Sequence, residues 1–221
     1  MYECVDMNSG SGEPEASDGR YSISEIDAVF TEEDLLEEGF VLSNLVGSLR
    51  LNRELDLGAL SSDLENTEYH PETYSSMIYR PFGAENSVSV LTPSSGKLAI
   101  VGAKSKQELK DGTEIFLNDL IKLGIEVDSS IDNLLIQNIV ANYDLNVNLD
   151  LSIVAISLDL GNIEYEPEQF PGLIYRTANN STVLVFGSGM SVITGANTYE
   201  DIIDSRDEIK EKLQDIGIEQ L

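Results

Sequence analysis

The chain reads E-Y-E-P-E-Q-F-P-G-L-I-Y-R at 164–176, and the same thirteen-residue frame stands earlier as E-Y-H-P-E-T-Y-S-S-M-I-Y-R at 68–80. The echo extends outward from these two stretches. S-N-L-V at 43–46 returns as Q-N-I-V at 137–140, and L-D-L at 55–57 returns at 149–151. S-G at 95–96 recurs at 188–189, G-A at 102–103 at 195–196, and L-G-I at 123–125 is answered by I-G-I at 216–218. A period of roughly 95 residues is far too long for a solenoid unit, whose repeats run about 20–50 residues. Residues 40–126 and 134–219 are therefore two copies of one half-domain, which implies a pseudo-two-fold molecule.

Each copy predicts the same order of elements. An apolar strand (40–46; 134–141) leads to a short helix carrying L-D-L (54–62; 148–158). A short strand, a Pro-containing loop and a strand ending in I-Y-R follow. Two strands then pair around the S-G turn, 87–92 with 97–103 and 181–186 with 190–196. A longer helix closes each half. The first opens on S-K-Q-E at 105–108, a capping-box pattern, and stops at Gly124. The second opens on T-Y-E-D at 198–201, carries Tyr199, Ile202, Ile203, Ile209, Leu213 and Ile216 at helical spacing, and stops at Gly217. The expected class is α+β, with two β-α-β-β-β-β-α repeats forming one antiparallel sheet and the helices on a single side.

That sheet has an unexplained second face. Ile139, Val183, Val185 and Ile193 alternate onto the side the helices cover. Asn138, Val140, Leu184, Phe186, Val192 and Thr194 fall on the other, as do Asn44, Val46, Leu91, Ala99 and Val101 in repeat 1. A wide uncharged face with two asparagines at matching sites is an interface or a ligand surface, with burial in a dimer as the competing explanation.

Of 221 residues, 40 are acidic and 13 basic, giving a formal charge of −27. Such a balance suits a protein that binds basic partners or avoids nucleic acid. It equally suits one built for molar salt, where a Debye length of about 3 Å removes self-repulsion. The spread of acids along the whole chain favours the second reading. Residues 1–39 are polar, Gly/Ser-rich and acidic, which predicts a mostly disordered tail. T-E-E-D-L-L-E-E at 31–38 reads either as a charged helical lead-in or as a phosphate mimic folding over the basic groove edge. One cysteine, Cys4, excludes an internal disulfide, and His70 has no ligand partners. No histidine accompanies a nucleophilic serine and no phosphate-loop pattern occurs, so catalysis and cofactors are not expected. Neither a signal peptide nor a membrane span is legible, which predicts a cytoplasmic protein.

The motif at 164–176, with I-Q-N-I-V-A at 136–141 before it and V-L-V-F-G-S-G at 183–189 after it, resembles the TATA-box-binding protein family, particularly its archaeal members. The resemblance covers residues 40–219. It implies a saddle whose concave sheet face lies on the minor groove of A·T-rich promoter DNA, with the helices on the convex face. Repeat 1 then spans 40–126 and repeat 2 spans 134–221. In repeat 2, Asn138 and Thr194 match the polar pair at the base edges, and Val140, Leu184 and Val192 match the apolar floor. Phe170 and Phe186 match the wedges that open a base step, although either is also open to a plain core role. Arg176 matches a phosphate contact. Glu166, Glu168 and Gln169, in the loop the family calls a stirrup, match the contact for transcription factor B, which brings RNA polymerase indirectly. Repeat 1 keeps Asn44, Val46, Leu91, Arg80, Lys97 and Lys104, but its wedge positions hold Tyr74 and Pro93, and Val101 replaces the central threonine. Repeat 2 in turn has Met190 and Asn197 where the family has lysines. The implied state is a monomer on DNA with a possible dimer when free, and a diverged paralogue with weak DNA binding and a regulatory interaction role is the alternative.

Overall fold

The computed structural model describes residues 21–127, 130–158 and 161–218. After α1 (Glu32–Glu37), repeat 1 comprises β1 (Val41–Arg50), α2 (Leu57–Asp63), β2 (Thr67–Glu68), β3 (Ser76–Tyr79), β4 (Ser89–Pro93), β5 (Lys97–Ala103) and α3 (Lys106–Lys122). A 3-10 turn at Ile131–Asn133 opens repeat 2, which has β6 (Leu135–Asp144), α4 (Leu151–Ser157), β7 (Ile163–Glu164), β8 (Leu173–Arg176), β9 (Thr182–Val185), β10 (Met190–Ala196) and α5 (Tyr199–Asp215). All ten strands join one sheet in the order β2-β3-β4-β5-β1-β6-β10-β9-β8-β7. Its centre is the antiparallel β1–β6 pair. Leu45 faces Ile139 there, with Asn44 opposite Val140 and Val46 opposite Asn138, so the pseudo-two-fold axis passes through the middle of the open face.

Both long helices cover one side. α3 packs on β5, β1 and β4, and α5 packs on β10, β6 and β9. Leu109, Phe116 and Leu120 from α3, and Ile202, Ile209 and Leu213 from α5, are buried against Leu45, Ile100, Ile139, Val183 and Ile193 of the sheet. Tyr79 and Tyr175 pin the helices at matching places, donating to Asp119 at 2.5 Å and to Glu208 at 2.6 Å. Burial, reinforced by the hydrogen bond to the carboxylate, pushes each phenol pKa above its ordinary range.

The short helices start later than the sequence suggests. The aspartate of each L-D-L is the N-cap, not an interior residue: Asp56 accepts from the Ala59 N–H, and Asp150 from the Ser152 and Ile153 N–H groups. A short polar side chain that satisfies orphan amides outcompetes helix extension at that position. At α5 the capping box is complete, with the Thr198 N–H donating back to Asp201. At α3 the return bond to Glu108 comes instead from the Lys104 N–H. Gly124 and Gly217 end the long helices in the left-handed region.

The expectation of disorder over 1–39 is corrected for residues 21–39; residues 1–20 lie outside those described. Ile23, Ile26 and Leu35 are almost fully buried in the core. Backbone bonds join Ile23 N–H to the Leu134 carbonyl and Ile136 N–H to the Tyr21 carbonyl. The segment crosses both repeats: Glu32 accepts from the Lys106 N–H at the start of α3 and from the Tyr199 hydroxyl at the start of α5. Asp27 pairs with Lys106 and Glu38 with Arg206, both at 2.7 Å. The acidic lead-in therefore sits on the helix side of the sheet, and the phosphate-mimic alternative fails. Composition pointed to disorder because it averages over residues, whereas three correctly spaced apolar side chains suffice to anchor an acidic segment.

Candidate nucleic-acid interface

The open face is built by strand alternation. Asn44, Val46, Leu91, Ala99 and Val101 in repeat 1, and Asn138, Val140, Leu184, Val192 and Thr194 in repeat 2, are each half-buried, while their strand neighbours Leu45, Val90, Ile100, Ile139, Val183 and Ile193 are buried under the helices. Ile78 and Ile174 complete the apolar floor, opposite Leu91 and Leu184 in register. The alternation placed the strand residues; Ile78 and Ile174 escaped the sequence reading because short strands give a weak period.

Two glycines orient the asparagines. The ladder from β1 to β5 shifts between Leu45 and Gly47, and that from β6 to β10 shifts between Ile193 and Ala196. Gly102 and Gly195 absorb these bulges at φ +84° and +87°. A Cβ at Gly102 would lie 2.1 Å from the Ser87 carbonyl oxygen, so no side chain fits there. The N–H of Gly102 donates to Asn44 Oδ1 at 2.9 Å, and that of Gly195 donates to Asn138 Oδ1 at 2.7 Å. With the oxygen engaged by backbone, Nδ2 is the remaining hydrogen-bonding group of each amide. In repeat 2 the Thr194 hydroxyl lies 3.4 Å from Asn138 Nδ2, and Val101 leaves repeat 1 without that second polar atom.

At the repeat 2 end, Phe170 and Phe186 meet edge to face with centroids 5.8 Å apart, and both are half-buried. Gly172 makes this possible, because a Cβ there would sit 2.7 Å from Phe170 and 3.0 Å from Phe186. Repeat 1 has Ser76 at that position, Tyr74 47% exposed in its turn, and Pro93 opposite Ser76. The two repeats thus differ at three neighbouring positions together.

The charged residues frame this face. Arg80 is held by Glu68 at 3.1 Å and by the Ser89 hydroxyl, and the more exposed Arg176 lies 3.8 Å from Glu164. Lys97 and Lys104 are exposed, as is Met190. In the turn between β7 and β8, Glu166, Glu168 and Gln169 are exposed, and Gln169 Nε2 donates to Glu166. The Gln169 and Phe170 N–H groups both bond the Glu166 carbonyl, and the Thr73 and Tyr74 N–H groups repeat this at His70. Among the described residues no cluster of His, Cys, Asp or Glu could hold a metal, and no helix is long and apolar enough to cross a membrane.

The chain matches known proteins in both sequence and fold. A family model described as transcription factor TFIID, or TATA-binding protein, matches residues 39–123 and again 133–216. The chain is 39% identical over 183 residues to a TATA-box-binding protein of Haloarcula marismortui, which spans 82% of this chain and 97% of that protein. It is 42% identical over 182 residues to one from Picrophilus torridus, with the same coverage. The solved structure of Methanococcus jannaschii TBP superposes with a TM-score of 0.68 at 35% identity, covering 80% of this chain and 98% of that one.

Proposed function

The chain belongs to the TATA-binding protein family, and from that premise we propose that its open face binds A·T-rich promoter DNA in the minor groove and nucleates transcription initiation. The observation that carries this reading is the pair of asparagines whose carbonyl oxygens are consumed by glycine N–H groups. Their nitrogens remain as donors on an apolar, half-buried surface, with Asn138 sharing one N–H with the Thr194 hydroxyl at 3.4 Å. The minor groove of A·T pairs offers acceptors only, whereas a G·C pair adds the guanine amino donor. Donor amides with an apolar floor therefore accept A·T and reject G·C. Bending through inserted apolar wedges is a behaviour for which this family is itself the standard example. Here Phe170 and Phe186 are placed to supply it from repeat 2. Arg80, Arg176, Lys97 and Lys104 are the phosphate contacts, and the two arginines must exchange a carboxylate for a phosphate as they engage.

The exposed turn with Glu166, Glu168 and Gln169 is the docking point for transcription factor B, through which RNA polymerase is recruited. The 40 acidic residues behind the formal charge of −27 are spread over the N-terminal segment and both repeats and, with relatives in Haloarcula marismortui and Halobacterium salinarum, support adaptation to concentrated salt. A melting temperature indifferent to KCl would remove that reading. A second function has one specific support: Tyr74, Pro93 and Val101 weaken repeat 1 as a DNA reader, as expected of a paralogue that regulates through protein contacts.

The deciding experiment is a band shift on an A·T-rich promoter duplex, on the same duplex with central G·C pairs, and on one with inosine·C pairs, which lack the guanine amino group. Binding to the first and third but not the second is expected. Equal binding to all three overturns minor-groove readout. Adding factor B separates the two functions: Glu166→Lys with Glu168→Lys should abolish the supershift and leave the binary complex.

A further inference from the structure

Arg50 and Lys97 lie directly opposite each other where β1 ends and β5 begins. Their neighbours Leu49 and Leu98 are buried under the helices, so alternation puts both cations on the open face, in line with Ala99 and Val101. Like charges facing each other across strands are destabilising. Neither cation forms an ion pair among the described residues. They border a hollow of about 270 Å³ whose other walls are Asn52, Arg53, Ser95 and a single carboxylate, Glu54. Arg53 is anchored by a 2.7 Å bond to the Glu126 carbonyl, in the segment after α3. Two of the 13 basic residues of a chain with formal charge −27 thus meet at one end of the open face, with Arg53 bordering the same hollow.

The pseudo-symmetric corner of repeat 2 is the reverse. Met190 faces Asp144 in the same register, again on the open side, with Asp144 Oδ1 accepting from the Asn146 N–H at 2.8 Å. The duplication supplies the control: the same backbone position carries two cations in one half and a carboxylate beside a thioether in the other.

We propose that Arg50 is a DNA-binding residue which forms, with Lys97, a two-cation seat for a backbone phosphate at the repeat 1 end, and that Asp144 and Met190 remove the counterpart in repeat 2. The proposal rests on minor-groove binding by the open face. The two ends of the saddle then hold DNA by different means. Repeat 2 pries a base step with its phenylalanine pair, and repeat 1, which lacks that pair, grips the backbone. An unpartnered cation pair is stabilised when a phosphate bridges it, so its repulsion in the free protein becomes attraction in the complex.

The test is the dependence of affinity on KCl, measured by fluorescence anisotropy with a labelled A·T-rich promoter duplex and the full chain. Each phosphate contact contributes roughly 0.9 to the slope of log affinity against log salt. Arg50→Gln should make the slope less negative by about one relative to the unaltered protein and lower affinity about five- to tenfold in dilute KCl. Arg50→Lys should keep the slope. Asp144→Arg, with Met190→Lys, should build the missing seat and shift the slope by at least one unit the other way. A purely structural role for Arg50 would change melting temperature without changing the slope. An unaltered slope in Arg50→Gln, with the promoter still bound, overturns the seat alone. Failure of the unaltered protein to bind the duplex overturns the reading of the open face, and the seat with it.

Discussion

The two repeats of this protein share a backbone plan down to paired glycine bulges, tyrosine pins and asparagine donors, yet on the open face they differ in the aromatic pair, in the residue beside the asparagine and in the basic edge. Repeat 2 has Phe170, Phe186 and the Gly172 that lets their rings meet. Repeat 1 has Tyr74, Pro93 and Ser76 there, but keeps Lys97 and Lys104 and adds Arg50. The difference teaches that scaffold and function are constrained separately. Residues that hold the sheet and its helices must satisfy packing in both copies, because each half contributes to one continuous core. Residues on the open face are free of that demand, so each half specialises.

The largest test of this division is wedge removal. Phe186→Ala should weaken promoter binding by about 2–3 kcal/mol, near a hundredfold, because unstacking a base step is worth a few kcal/mol. Tyr74→Ala should cost under about threefold. Equal losses, measured by anisotropy titration, would break the comparison.

Next comes restoration. Tyr74→Phe with Pro93→Phe should lengthen the life of the complex only slightly, because Ser76 leaves a Cβ where repeat 2 requires none. Adding Ser76→Gly should extend the lifetime roughly tenfold, equivalent to about 1.4 kcal/mol, and increase the bend. End-to-end energy transfer and dissociation rate on a short duplex read both quantities. A double variant already as good as the triple would show that the glycine is unnecessary.

The smallest effect concerns the core. Thr92 is fully buried and its hydroxyl has no partner among the described residues, while repeat 2 has Val185 at the matching place. Thr92→Val removes an unsatisfied polar atom at nearly constant shape and should stabilise the protein by about 1 kcal/mol. That corresponds to roughly 2–4 °C in Tm for a chain of this size. No gain in thermal unfolding would mean that the hydroxyl is satisfied after all.

Much of this was legible without coordinates. The duplication fixed the number of elements, because a pattern written twice is read with two independent samples. Strand alternation separated Asn138, Val140, Leu184 and Val192 from Ile139, Val183, Val185 and Ile193, since a pleated strand leaves each side chain only one face to occupy. Helix starts were less legible at Asp56 and Asp150, where a cap and an interior residue look alike until the bonded amides are seen.

Other features needed the fold. The bonds from Gly102 to Asn44 and from Gly195 to Asn138 span 58 and 57 residues, and no local pattern shows that an amide oxygen is consumed by a distant backbone N–H. The docking of residues 21–38 likewise depends on partners far away in sequence, Lys106, Leu134, Tyr199 and Arg206. Arg50 is one scattered base in the sequence and becomes half of a cation pair only when β1 and β5 align. Local chemistry and periodicity determined the elements and their faces. Which distant groups then met was decided by the tertiary structure, because strand register and helix packing set those distances and no neighbouring residue encodes them.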